Sequence, residues 1–189
     1  MLSIGDYSVD VITEDDLPLL LKWRNSDRIH SMMLTDHKIT WDEHYNWYLT
    51  LKKNDPPRNL MFKYKNQPIG YIGYTAYNEK NKICSPGTYL GDSELVQMEA
   101  GFFLGCINIE YAFSILGMKR LETFVLKKNR RVIKANKSIG YIAVPENDKI
   151  FLKNNVEEDA AFLYLTLDNW TVLKENEEFK SLVQMLIKN

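Results

Sequence analysis

The chain has 189 residues, of which 45% are hydrophobic and 26% charged, with 24 basic against 25 acidic side chains and a pI near 6.3. That length buries a full core without staples and is read as a single domain, residues 1–189. The near-neutral balance argues against a dedicated nucleic-acid binder, and no apolar run approaches a membrane span, so neither partner is expected. Cys84 and Cys106 are the only cysteines and form no CxxC or metal spacing; they read as free, buried thiols. The N-terminus MLSIGDYSVDV lacks a basic segment followed by an apolar one, so no signal peptide is read and a cytoplasmic location is expected.

In chain order, Tyr7 to Ile12 alternates apolar and polar residues as a half-buried strand does. Thr13 caps a helix whose first turn carries Glu14, Asp15 and Asp16, tolerates Pro18, and ends near Asn25. Thr40 and Glu43 form a capping box for a second helix, stopped by Asp55-Pro56-Pro57. Leu60 to Tyr64 and Ile69 to Tyr77 flank the turn Lys65-Asn66-Gln67-Pro68 as a hairpin, and a third strand spans about Gly87 to Leu90. Glu99 to Leu116 is a long apolar helix closed by Gly117. A strand from Arg120 to Leu126, a short helix from Arg131 to Ile139 and strands at Ile142–Val144, Ile150–Leu152 and Ala160–Leu167 follow. An amphipathic helix, Glu178 to Ile187, closes the chain. Helices interleaved with strands call for an α/β (α+β) sheet domain without internal repeats. Tyr71, Tyr74, Tyr77 and Tyr89 read as sheet packing rather than as a base-stacking platform.

Lys127 to Tyr141, KKNRRVIKANKSIGY, holds six basic residues and no acid. In a chain of net charge −1 this marks a local phosphate site. Just before it, YAFSILGMKRLETFV (Tyr111 to Val125) joins the long helix to the next strand. This helix-GM-R-strand-N-helix-GY order resembles the GCN5-related N-acetyltransferases, particularly the ribosomal-protein-acetyltransferase branch. The resemblance implies a mixed sheet of about seven strands, splayed open, with acetyl-CoA as co-substrate in the gap and no metal. Its pyrophosphate would lie on backbone N–H groups at the start of the long helix. Matched by spacing, that loop is Val96, Gln97, Met98, Glu99, Ala100 and Gly101. Gly101 fits the family pattern. Val96 and Glu99 stand where an amide or basic residue and a glycine are usual, and a carboxylate suits a pyrophosphate only if it points away. Lys127, Arg130 and Arg131 would flank the phosphates of coenzyme A. Asn129 matches a cofactor-contacting Asn, though a plain helix cap accounts for it equally well. Asn136 occupies the position of the tyrosine that protonates the leaving thiolate in many relatives; an amide can hydrogen-bond the sulfur but supplies no proton.

Leu19 to Lys53 contains WRN, a Met pair and EHxxW. This set is similar to acetyltransferases that modify nucleotide-linked 4-amino-sugars, as in pseudaminic acid biosynthesis. By that resemblance Arg24, Met33 and His44 would lie beside a nucleotide-sugar. An arginine at a helix end among aromatic residues suits a diphosphate and a flat base, and also suits a helix dipole. Glu122 on the strand RLETFV is a candidate general base, with His44 as rival; Glu122 could instead pair with a neighbouring Lys or Arg. His30, His37 and His44 recur every seven residues, two helical turns apart, too far for joint metal ligation. The expected activity is acetyl transfer to a UDP-linked 4-amino-sugar by direct attack. A ribosomal-type protein N-terminal acetyltransferase and a non-catalytic acyl-CoA-binding module are the alternatives, and a homodimer is left open.

Overall fold

The computed structural model describes residues 2–34, 37–91 and 94–187. Among them, nine strands form one mixed sheet in the order β1-β2-β3-β4-β5-β6-β9-β7, with β8 on the free edge of β9. The strands are β1 (Ser3–Ile4), β2 (Tyr7–Val11), β3 (Asn59–Tyr64), β4 (Gln67–Asn78), β5 (Ile83–Leu90), β6 (Arg120–Leu126), β7 (Ile142–Ala143), β8 (Lys149–Lys153) and β9 (Val156–Thr166). The helices are α1 (Leu17–Asn25), α2 (Asp27–His30), α3 (Trp41–Leu51), α4 (Ala100–Glu110), α5 (Arg130–Ser138), α6 (Leu167–Glu175) and α7 (Glu177–Ile187). Every neighbouring pair of strands is antiparallel except β5 and β6.

Local chemistry sets several boundaries. Thr13 donates its N–H and hydroxyl to Asp16 at 2.8 and 2.9 Å, and a single 3-10 turn, Glu14–Asp16, leads into α1. Thr40 and Glu43 make the reciprocal cap of α3, Thr40 N–H to Glu43 Oε2 at 2.7 Å and Glu43 N–H to Thr40 Oγ1 at 3.3 Å. The β3–β4 hairpin closes through Lys65 and Asn66 alone, both at positive φ (47° and 64°), with Tyr64 paired to Gln67. Two left-handed residues are what the right-handed twist of a tight hairpin asks for. The turn is therefore two residues shorter than expected, and Pro68 joins the strand at the register shift beside Lys63. There its missing N–H breaks no regular ladder bond. β5 begins at Ile83, earlier than the pattern suggests. α4 widens into a π turn, Tyr111–Ile115, with Leu116 N–H reaching Tyr111 C=O at 3.0 Å, before Gly117.

The sheet is covered on both faces. On one, α4 presents Phe103, Ile107 and Ile109 to Phe62, Ile72 and Leu121, with α5, α6 and α7 packed around it. α6 is absent from the sequence reading, although Thr166 caps it by accepting from Asn169 N–H at 3.2 Å. It docks through Glu110, which accepts from Trp170 Nε1 and Lys174 Nζ at 2.9 and 2.7 Å. On the other face α1, α2 and α3 bury Leu17, Leu20, Trp23, Ile29 and Tyr48 against Met61. Both cysteines are buried free thiols, and burial pushes each up to about 12. Among the described residues, no helix is long and apolar enough to cross a membrane.

Gly91 ties the end of β5 to α1. Its N–H donates to Ile69 C=O at 2.8 Å, and a Cβ there would stand 2.1 Å from Cε2 of the buried Trp23 indole. Only a residue without a side chain lets the backbone come that close. Gly91→Ala should therefore cost about 1–3 kcal/mol as the indole is displaced. At Gly87 an added Cβ meets nothing nearer than Gly73 C=O at 4.0 Å, and Gly87→Ala should stay within about 0.5 kcal/mol of the parent. Thermal denaturation of the two variants checks this; equal melting temperatures would refute the packing constraint at Gly91.

Candidate active site

β5 and β6 pair only at Ile83↔Arg120 and Cys84↔Leu121. Beyond Cys84, β5 continues on β4 to Leu90 while β6 continues on β9 to Leu126, and the two strands part. Pro86, two residues past the last pair, has no N–H with which to extend the ladder. Residues 85–90 and 122–126 thus border a V-shaped gap. On each strand one edge is used by its antiparallel neighbour and the other faces the opening.

The N-terminus of α4 lies just past the end of β5. Ala100 N–H is taken by Gln97 C=O at 3.1 Å, and Phe102 and Phe103 N–H by Glu99 C=O at 2.9 and 3.2 Å. Among the described residues the N–H groups of Met98, Glu99 and Gly101 meet no carbonyl. The Glu99 carboxylate is turned aside, its Oε1 accepting from the Tyr7 hydroxyl at 2.9 Å. Burial, reinforced by that hydrogen bond, pushes the Tyr7 phenol up so that it stays a donor. Val96 packs against the core, Gln97 Nε2 donates to Leu95 C=O at 3.1 Å, and the Met98 side chain is 95% exposed. Backbone donors, a helix end and a carboxylate held away together fit a pyrophosphate.

α5 follows β6 and packs beside α4. Its basic run is partly committed: Lys127 pairs with Asp148 at 3.0 Å and Lys128 with Glu158. Arg130 and Arg131 are exposed and, among the described residues, carry no ion pair. The expectation that Lys127 is available for phosphate is thereby weakened, because Asp148 already balances its charge. Asn129 caps α5, its Oδ1 accepting from Val132 N–H at 3.4 Å, which leaves its Nδ2 donors. Asn136 is half-buried; its C=O accepts from Tyr141 N–H at 3.0 Å, and its side-chain amide has no partner among the described residues.

The opposite face of the sheet, under α1–α3, collects the remaining candidates. Arg24, at the end of α1, is half-buried, with Nη1 fully buried and without a hydrogen-bond partner. Desolvation lowers its pKa, opposed by the nearby Tyr89 and Tyr71 rings. These two rings stack at 5.0 Å, Trp47 leans on Tyr71 at 6.2 Å, and Tyr71 donates to Asn59 Oδ1 at 2.5 Å. Met33 joins the same cluster. His44 does so only through Trp47, on which it stacks at 5.0 Å. It is 6% exposed, its Nε2 sits 3.1 Å from Leu17 C=O, and desolvation lowers its pKa. Leu17 is seven residues from Arg24, roughly 10 Å along the helix. His44 thus packs in the wall with its Nε2 beside the Leu17 carbonyl of α1. His37 pairs with Glu43 at 2.9 Å. Among the described residues no group of three His, Cys, Asp or Glu side chains is placed to hold a metal.

Glu122 is the first β6 residue beyond the last β5–β6 pair, at the apex of the V. Leu121 packs on the α4 side, so by strand alternation Glu122 and Phe124 face the Tyr71–Tyr89 side. Its Oε1 accepts from Arg120 Nε at 2.7 Å, and the Arg120 guanidinium lies 4.0 Å from the Tyr164 ring centre. The neighbouring arginine weighed as a partner is thus present, with the carboxylate a third exposed. Tyr7 and Arg120, which fix Glu99 and Glu122, escaped sequence reasoning; Tyr71 and Tyr89 pack on the sheet as expected, and beside Arg24. For Tyr71 and Tyr89, strand alternation was the available signal, but it leaves open which face α1 covers.

A family model described as an acetyltransferase (GNAT) domain matches residues 9–142. The chain is 26% identical over 145 residues to acetyltransferase PseH of Campylobacter jejuni serotype O:23/36, an alignment covering 74% of this chain and 85% of that one. In structure it is similar to spermidine N-acetyltransferase from Vibrio cholerae in complex with CoA and spermine. The TM-score is 0.78 at 14% identity, covering 88% of this chain and 98% of that one. It is also similar to yncA from Salmonella typhimurium with its cofactor acetyl-CoA, with a TM-score of 0.70 at 16% identity over 86% and 95% of the two chains. The family model covers most of the chain: the chain belongs to the GNAT family, shares its open mixed sheet and is an acetyl-CoA-dependent N-acetyltransferase.

Proposed function

We propose that the acceptor is the amine of a nucleotide-linked 4-amino-sugar, acetylated by direct attack. The observation that carries this reading is Arg24, a half-buried guanidinium whose buried Nη1 has no partner, beside the stacked Tyr71 and Tyr89 rings. A buried unpaired donor on a cation is costly, and an incoming phosphate would relieve that cost through charge-assisted hydrogen bonds while a flat base lies on the tyrosines. The likeness to PseH supports a sugar amine. A polyamine, the acceptor in the spermidine N-acetyltransferase, is a polycation and would be repelled by Arg24.

The bound co-substrate supplies an acetyl group activated as a thioester. Its pyrophosphate is held by the N–H groups of Met98, Glu99 and Gly101, with Arg130, Arg131 and the Asn129 amide beside it. Glu122, oriented by Arg120, accepts the amine proton through one water as the C–N bond forms and the C–S bond breaks. The Asn136 amide hydrogen-bonds the departing sulfur, and the proton that completes the thiol comes from solvent.

Two outcomes are expected. Arg24→Ala should raise KM for a UDP-4-amino-sugar about ten- to hundredfold, the worth of a charge-assisted hydrogen bond, while leaving KM for acetyl-CoA nearly unchanged. Thiol release is followed with UDP-amino-sugars, N-terminal peptides and spermidine in parallel; turnover of peptides alone, or an unaltered sugar KM in the variant, overturns the reading. On the cofactor side, Arg130→Ala with Arg131→Ala should weaken acetyl-CoA binding more at low salt than at high, since screening acts over about 10 Å at 0.1 M. Lys127→Ala should have the smaller effect because of its bond to Asp148. Isothermal titration at two ionic strengths checks both, and a salt-independent affinity in the double variant refutes the phosphate role of α5.

A further inference from the structure

Lys153 ends β8 and is 6% exposed, an unusual place for an ammonium group. Its Nζ donates to three carbonyls: His30 at 2.8 Å, Ser31 at 3.2 Å and Met33 at 2.6 Å. These belong to the end of α2 and the turn beyond it, where carbonyls cluster and a cation is favoured; His30 C=O also accepts from Met33 N–H at 3.1 Å. The lysine is presented by a tight hairpin, Asn154 and Asn155 at φ 50° and 60°, with Lys153 paired to Val156. Two residues earlier, Phe151 packs edge-on against Phe124 at 5.5 Å, and Phe124 shares its sheet face with Glu122.

Lys153 therefore joins two walls on opposite sides of the V. One carries Met33 and, through α2, Arg24; Arg28 Nη2 anchors α2 further by donating to Leu90 C=O at 2.8 Å. The other carries Glu122, Phe124 and Phe151. Within the sheet these halves are joined only by the two residue pairs at the apex. We propose that Lys153 is a positioning residue for the acceptor. By fixing the Met33 turn to the β8–β9 hairpin it sets the width of the acceptor opening between Arg24 and Glu122. It touches neither the thioester nor the phosphates of the co-substrate. The inference rests on the acceptor lying on this face, as assigned above, and not on the acceptor being a sugar.

The test uses Lys153→Met, which keeps the length and removes the donors, and Lys153→Arg, which keeps a cation with several donors. In the free Lys153→Met protein, amide hydrogen exchange at residues 29–34 should quicken relative to residues 100–110. KM for the acceptor should rise about tenfold, as for a mispositioned reactant. KM for acetyl-CoA should change less than about twofold, and Lys153→Arg should recover part of the acceptor KM. Kinetics are run with the UDP-amino-sugar, spermidine and a peptide amine. The wild type's choice among them judges the sugar reading, and the variant-to-wild-type ratio for the chosen amine judges the latch. Equal rises in both KM values, or faster exchange with an unchanged acceptor KM, would make Lys153 a scaffold residue and overturn the inference.

Discussion

The parallel pairing of β5 with β6, two residue pairs long, is the constraint on which the rest of the molecule depends. Parallel strands normally bury both edges in continuous ladders. Here the ladder stops at Cys84 and Leu121: β5 continues along β4, β6 continues along β9, the two diverge, and Pro86 offers no donor beyond the last pair. The backbone groups left facing the gap must be satisfied by something outside the sheet. A co-substrate with an amide-rich arm and a pyrophosphate head supplies such partners, and α4 starts where the pyrophosphate would end.

An open seam weakens a sheet, so the two halves are held from both faces. On the α4 side the hold is apolar: Leu121 and Leu163 from one half, Ile72 and Cys84 from the other, under Phe103 and Ile107. On the α1–α3 side it is polar, through Lys153 and the α2 carbonyls. The difference suits the chemistry of each face. The apolar side needs only to be closed, whereas a polar latch leaves room between the walls of the other face, as the proposed acceptor opening requires.

The departures from the family pattern have physical explanations in the fold. Glu99 would be unfavourable beside a pyrophosphate if it faced the loop, but the Tyr7 hydroxyl holds its carboxylate on the far side, and the backbone donors remain. The basic segment that reads as one phosphate site is divided in use. Lys127 and Lys128 fasten α5 to Asp148 and Glu158, and the charge left for a ligand sits on the exposed residues of α5 itself.

The sequence by itself determined the elements whose causes lie within a few residues. The Thr40 cap, the β3–β4 hairpin though not its two-residue turn, the stop at Gly117 and the extent of β6 follow from turn chemistry, capping and strand alternation. The helix-GM-R-strand-N-helix-GY order also carried the family and hence the cofactor. Only the tertiary structure decided what those residues face. Tyr7 meets Glu99 across 92 residues, and Lys153 meets Met33 across 120. Tyr71 and Tyr89 meet Arg24 because α1 covers that face of the sheet. Such contacts depend on strand order, on which face a helix takes and on where one ladder stops, and no local preference encodes them. His44 shows the limit most plainly: the motif that marks it for the substrate does not reveal that its Nε2 meets the Leu17 carbonyl, a partner chosen only when α3 packs on α1.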